Sequence, residues 1–140
     1  MAIDPNEFPL PPYYETLGIE ITEVDPGHAV GELPLTDAIS ASPSTQVAHG
    51  GAVASLADSV GYWAVSAANE FATTPTIDLR LDYLAPATAD LTATATVTRN
   101  GSSVGTVDVD VETAEATVAV ARGSFKSGGG TGESAWVRPE

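Results

Sequence analysis

Asp58 is the only Asp, Glu, Lys or Arg among the 32 residues between Asp37 and Glu70, in a chain that is 17% charged. Chance at that composition would place about five charges there. It lies in HGGAVASLADSVGYWAVSAAN, residues 49–69. A lone carboxylate in such surroundings is costly unless hydrogen-bonded or wet, and its pKa can be displaced toward values useful in catalysis. The plainer alternative is a rim charge, or a partner for an arginine. His49-Gly50-Gly51 stands just upstream. Glycines at a helix start expose backbone N–H groups that lack an intrahelical acceptor and carry the positive end of the helix dipole. Such donors can polarise a carbonyl or hold an oxyanion, or the glycines can simply make a tight turn. His49 is a candidate base, or a side chain that orients this turn.

Spacing adds a constraint. On one helix Gly50 and Asp58 are about 12 Å apart along the axis, at ~1.5 Å per residue. A reacting carbonyl must lie within about 3 Å of its oxyanion donor and its attacking group. One helix cannot supply both, whereas two antiparallel copies about a two-fold axis can. If both groups work, the active unit is at least a dimer with two shared sites.

The elements that must position these groups are legible as periodicity. Gly50–Asn69 reads as one long helix. On a wheel it places Val53, Leu56, Val60, Ala64 and Ala67 on a sheet-facing side. Ala54, Asp58, Gly61, Tyr62 and Val65 fall on a second, largely apolar side, which suggests cover by a partner subunit. Before the helix, Ile19–Val24 and Ala29–Leu35 read as strands joined at Asp25-Pro26-Gly27, followed by an irregular loop over 36–48. After it come Thr76–Leu84, Leu91–Thr98, Val104–Glu112 and Thr117–Phe125. In the first of these, Ile77, Leu79, Leu81 and Tyr83 share one face, with Thr76, Asp78, Arg80 and Asp82 on the other. Asn100-Gly101 reads as a hairpin turn with positive φ at both centres. The expected architecture is α+β, one helix against an antiparallel sheet of about six strands. Residues 1–16 are expected to form an arm with a short helical turn near Tyr13–Leu17, residues 17–126 the domain, and 127–140 a flexible tail, with Trp136 as its one candidate for docking.

Composition narrows the function. Nineteen acidic residues against five basic ones give a net charge of −14, which repels nucleic acid and anionic membranes. Acidity with a single lysine is the composition of a protein from a salt-accumulating halophile. There is no cysteine, and His28 and His49 are too few and too far apart to suggest a zinc site. The N-terminus lacks the basic and apolar regions of a signal peptide, and no apolar run is long enough to span a bilayer, so a cytoplasmic location is expected.

The combination HGGAVASLAD, TPTIDLRLDYLAPA and RNGSS resembles the hotdog-fold acyl-CoA thioesterases, in particular the phenylacetate-pathway type, over about Leu17 to Lys126. The resemblance implies a long helix wrapped by an antiparallel sheet, dimerised through sheet edges and often paired into tetramers. It implies hydrolysis of an acyl-CoA to free acid and CoA, without a metal or other cofactor. Asp58 takes the catalytic carboxylate position, as nucleophile or as base for water. Gly50 takes the position whose N–H polarises the thioester carbonyl, with His49 and Gly51 beside it. Thr76 matches a hydroxyl that places water or the carboxylate, and Tyr83 and Arg99 match positions that touch the CoA arm. Two positions depart from the pattern. Pro43 stands where an Asn or Gln is usual, with Ser42, Ser44 and Gln46 as candidate substitutes. Ala85 replaces a basic residue, leaving Arg99, Arg80, Arg122 or Lys126 for the CoA phosphates. Rival readings are a hotdog dehydratase or hydratase, for which His49 and Asp58 are the only candidate pair, and a non-catalytic acyl-CoA-binding protein.

Overall fold

The computed structural model describes residues 7–128; most of the expected tail, Trp136 included, lies outside the described residues. A short helix α1 (Pro12–Leu17) opens with prolines and closes on Gly18, whose φ of +91° suits glycine. Strands β1 (Glu20–Asp25) and β2 (His28–Leu33) follow, then a 3-10 turn at Asp37–Ile39 and the long helix α2 (Gly50–Ala68). Four strands complete the chain: β3 (Thr76–Tyr83), β4 (Leu91–Asn100), β5 (Val104–Glu112) and β6 (Thr117–Lys126). They form one antiparallel sheet in the order β1-β2-β4-β5-β6-β3. Helix α2 packs against all six strands, which is the expected hotdog arrangement.

The burial alternation follows the pleat. Leu91, Ala93 and Ala95 on β4 and Val107, Val109 and Val111 on β5 are buried, with threonines and acids between them facing away. Against this face the helix lays Val53, Leu56, Val60 and Ala64. The sheet curls further round the helix than the wheel suggests. Gly61 and Val65, expected on the partner-facing side, are buried in the chain's own core. A Cβ on Gly61 would come within 2.9 Å of the Phe125 ring, and one on Gly105 within 2.8 Å of Val65. These glycines let helix and strands approach closely, as small residues do wherever backbones must nearly touch. What remains partly open is a narrower strip containing Ala54, Ser55, Asp58 and Tyr62.

Two local expectations change. The Asn100-Gly101 hairpin exists, but Asn100 ends β4 and neither residue has positive φ. The loop is longer, closed by the Gly101 N–H donating to the Val104 carbonyl at 2.9 Å. Strand β3 lies at the sheet edge with only β6 as neighbour, and Ile77 and Tyr83, expected to share a face with the half-buried Leu79 and Leu81, are instead 58% and 55% exposed. The β1–β2 turn does use glycine's freedom, with Gly27 at φ +79° after Pro26.

Candidate functional site

Asp58 sits midway along α2, and Thr76 Oγ1 donates to its Oδ1 at 2.6 Å. That contact depends on an irregularity. Strict alternation would aim Thr76 away from the helix with Asp78 and Arg80. The β3–β6 register instead slips between Thr76 and Asp78, so Thr76 pairs with the inward Phe125 and Asp78 with Ser124. The bulge takes up Ile77, turns Thr76 toward the helix and leaves Ile77 exposed. Bulges re-aim single side chains in this way next to functional sites. Burial raises the Asp58 pKa above its ordinary value, and the Thr76 hydrogen bond opposes that rise by stabilising the ionised form. Replacing Thr76 by Val removes the opposing contact. The acid limb of any activity that needs ionised Asp58 should then move to higher pH, with little change well above it. A pH–rate profile with an unmoved limb would contradict this coupling.

The helix start is arranged around a single free donor. His49 is the N-cap, and its Nδ1 accepts the Gly51 N–H at 2.8 Å, so the imidazole proton resides on Nε2 and the Gly51 donor is occupied. The Ala52 and Val53 N–H groups bond the His49 carbonyl. The Gly50 N–H has no acceptor among the described residues. The Tyr83 hydroxyl donates to the Gly50 carbonyl at 2.6 Å and holds this turn against the far end of β3. Thus β3 carries Thr76 beside Asp58 at one end and Tyr83 beside Gly50 at the other. Within one chain the structure keeps these two pairs apart.

Arg99 is not brought to either pair. It stands exposed near the end of β4, next to Asn100, whose amide reaches the Ala68 carbonyl at the helix C-terminus. Arg122 and Arg80 pair with Asp108 and Asp82 at 3.0 and 3.7 Å. The candidates for the position vacated by Pro43 are used locally. Gln46 Nε2 donates to Asp37 Oδ1 at 2.7 Å, and Ser42 Oγ accepts from the backbone of Ser44 and Thr45. Among the described residues, no three His, Cys, Asp or Glu side chains gather as metal ligands, and no helix is long and apolar enough to cross a membrane.

A cavity of about 520 Å³ opens beside Asp58, walled by Tyr13, Ser55, Tyr62, Trp63 and Thr76 among others. A second, of about 380 Å³, opens beside Gly50 and Tyr83. The contribution of Tyr13 and Tyr14 was not legible in sequence, because it depends on where the arm lies. Ser55 could have been found from its position one helical turn before Asp58. Of the neighbouring aromatics, Tyr62 and Trp63 line the cavity, whereas Phe71 stacks on Phe8 with ring centroids 4.9 Å apart.

An antiparallel six-stranded sheet wrapped on one long helix is the architecture of the hotdog class. Residues 45–120 match the thioesterase superfamily model, and the chain belongs to that superfamily. It is 38% identical over 121 residues to a Halobacterium salinarum protein named provisionally as an esterase, covering 79% of this chain and 80% of that one. Among solved structures it is similar to the PaaI protein of the E. coli phenylacetic acid degradation operon, with 32% identity and a TM-score of 0.75 over 85% of this chain and 86% of that one. It is also similar to a Haemophilus influenzae thioesterase, with 26% identity and a TM-score of 0.74, covering 81% of this chain and 80% of that one.

Proposed function

We propose that the chain is an acyl-CoA thioesterase whose active unit is a homodimer, with Asp58 of one subunit working against the Gly50 N–H of the other. The observation that carries this reading is the pairing of Asp58 with Thr76 and of Gly50 with Tyr83 at opposite ends of an edge strand. Ile77, Tyr83 and Leu84, three of the five large hydrophobic side chains exposed among the described residues, lie on or just beyond that strand. An exposed apolar strand edge seeks another strand. Two β3 edges paired antiparallel and centred near Arg80 set Thr76 of one chain opposite Tyr83 of the other. Asp58 then faces the partner's Gly50, as the separation of about 12 Å along one helix requires.

The chemistry follows from that placement. The carbonyl oxygen of the thioester accepts the Gly50 N–H at the positive end of the helix, which stabilises the oxyanion formed on attack. As base, Asp58 takes a proton from the water that attacks the carbonyl. As nucleophile, it forms an acyl anhydride that water then cleaves to the free acid. On either route the C–S bond breaks and the CoA thiolate departs. Tyr83 holds the donor turn in place. Arg99 and Lys126, which have no ion pair among the described residues, are the cations available to the CoA phosphates. The names of the Haemophilus and E. coli relatives, a thioesterase and a phenylacetic acid degradation protein, support the reaction class. The Halobacterium relative fits the salt-adapted composition. At molar salt the Debye length is about 3 Å, so a chain of net charge −14 no longer repels an anionic substrate at a distance.

The test is thiol release from a panel of aryl, short and long acyl-CoAs in high salt, with sedimentation run in the same buffer. Hydrolysis by a dimer or larger assembly is the expected result. Failure on every acyl class would sink the thioesterase reading, and an active monomer would sink the shared site.

A further inference from the structure

The cavity beside Asp58 has walls from two sources. Helix α2 and the start of β3 supply Ser55, Asp58, Tyr62, Trp63 and Thr76, while the segment before α1 and its first turn supply Pro9, Pro11, Tyr13 and Tyr14. This second wall lies outside residues 45–120, the part that matches the superfamily. It is also fastened at three points. Phe8 stacks on Phe71 with ring centroids 4.9 Å apart, and Trp63 Nε1 donates to the buried Tyr14 hydroxyl at 3.1 Å. The Tyr13 hydroxyl meets Ser55 Oγ at 2.8 Å. Ser55 gives its own hydrogen to the Gly51 carbonyl at 2.9 Å, so Tyr13 is the donor and its ring is held across the cavity.

These two tyrosines differ in what they can do. Tyr14 is 6% exposed and belongs to the core, whereas Tyr13 is 53% exposed and lies outside the core cluster. Its ring limits the space beside Asp58 without holding the fold together. Prolines at 9, 11 and 12 stiffen the backbone that carries it. A cavity of about 520 Å³ lies within the range of small-molecule sites.

Building on the thioesterase reading, we propose that the segment Pro9–Tyr14 selects the acyl group, with Tyr13 as the residue that sets its size. The preferred substrates are thioesters of compact acyl groups, and long alkyl chains are turned away by the Tyr13 ring. Discrimination of this kind is worth about tenfold or more per methylene-sized change in a well-formed pocket.

The experiment measures kcat/KM on straight-chain acyl-CoAs of increasing length for the full chain and for two variants of opposite size. Tyr13→Ala should raise the long-to-short ratio by about tenfold, and Tyr13→Trp should lower it by a similar factor. Thermal melts should place both variants close to the wild type. Simple loosening of the arm would move both ratios in the same direction, and that result, or two unchanged ratios in active enzymes, would overturn the inference alone. A wild type that hydrolyses no thioester would overturn the function and this inference together.

Discussion

Replacing Asp58 by Asn should leave a folded protein that hydrolyses acyl-CoA about 10²–10⁴-fold more slowly, the usual contribution of a positioned acid–base group. Asn keeps the shape of the side chain and an oxygen that can still accept from Thr76 Oγ1. What it loses is the ability to attack or to take a proton from water. The same substitution should raise stability at neutral pH. Burial lifts the Asp58 pKa in the folded chain, so the native state binds a proton more readily than the unfolded one. Stability from that preference is fully present below the unfolded pKa and is lost as pH rises through the folded one. At neutral pH the wild type carries the cost of an ionised, half-buried carboxylate and Asp58→Asn does not. Melting curves should therefore show the variant ahead at neutral pH, with the gap closing as pH falls through the carboxylate range. Undiminished turnover would remove Asp58 from the mechanism. A variant less stable at every pH would show that the carboxylate serves the fold.

The helix is informative as sequence alone. An isolated charge in an apolar window stands out because nothing about packing requires it. The strands are legible for a similar reason, since a pleated sheet with one buried face imprints a period of two. The misses share a cause. Whether Gly61 and Val65 face the sheet depends on how far the sheet curls, a property of all six strands together. The bulge at Ile77, which turns Thr76 onto Asp58, leaves the local alternation of TIDLRLDY looking regular. Only the pairing with β6 reveals it. The arm's share in the cavity is a contact between residues 42 positions apart, Tyr13 and Ser55, with no local signature at either end.

If each proposed site draws its carboxylate and its donor from different chains, mixing two inactive variants should restore activity. Gly50→Pro is the suitable partner for Asp58→Asn. Gly50 is the first helical residue, where proline fits and removes only an N–H that has no acceptor among the described residues. The preceding His49, at φ −60° and ψ 136°, already has a backbone compatible with a following proline. Added ring atoms approach the end of Tyr83, where a Cβ would lie 3.3 Å from its ring, and this half-exposed side chain has room to yield. Alone, Gly50→Pro should lose about 10²–10³ in kcat, the cost of one oxyanion donor. In a mixed dimer one site brings both substitutions together and is inactive. The other joins intact Asp58 from the Gly50→Pro chain to intact Gly50 from the Asp58→Asn chain. Random exchange makes about half the dimers mixed, each with one working site of two, so about a quarter of wild-type activity should return. Sites contained within single chains would recover nothing, since every chain in the mixture carries a lesion.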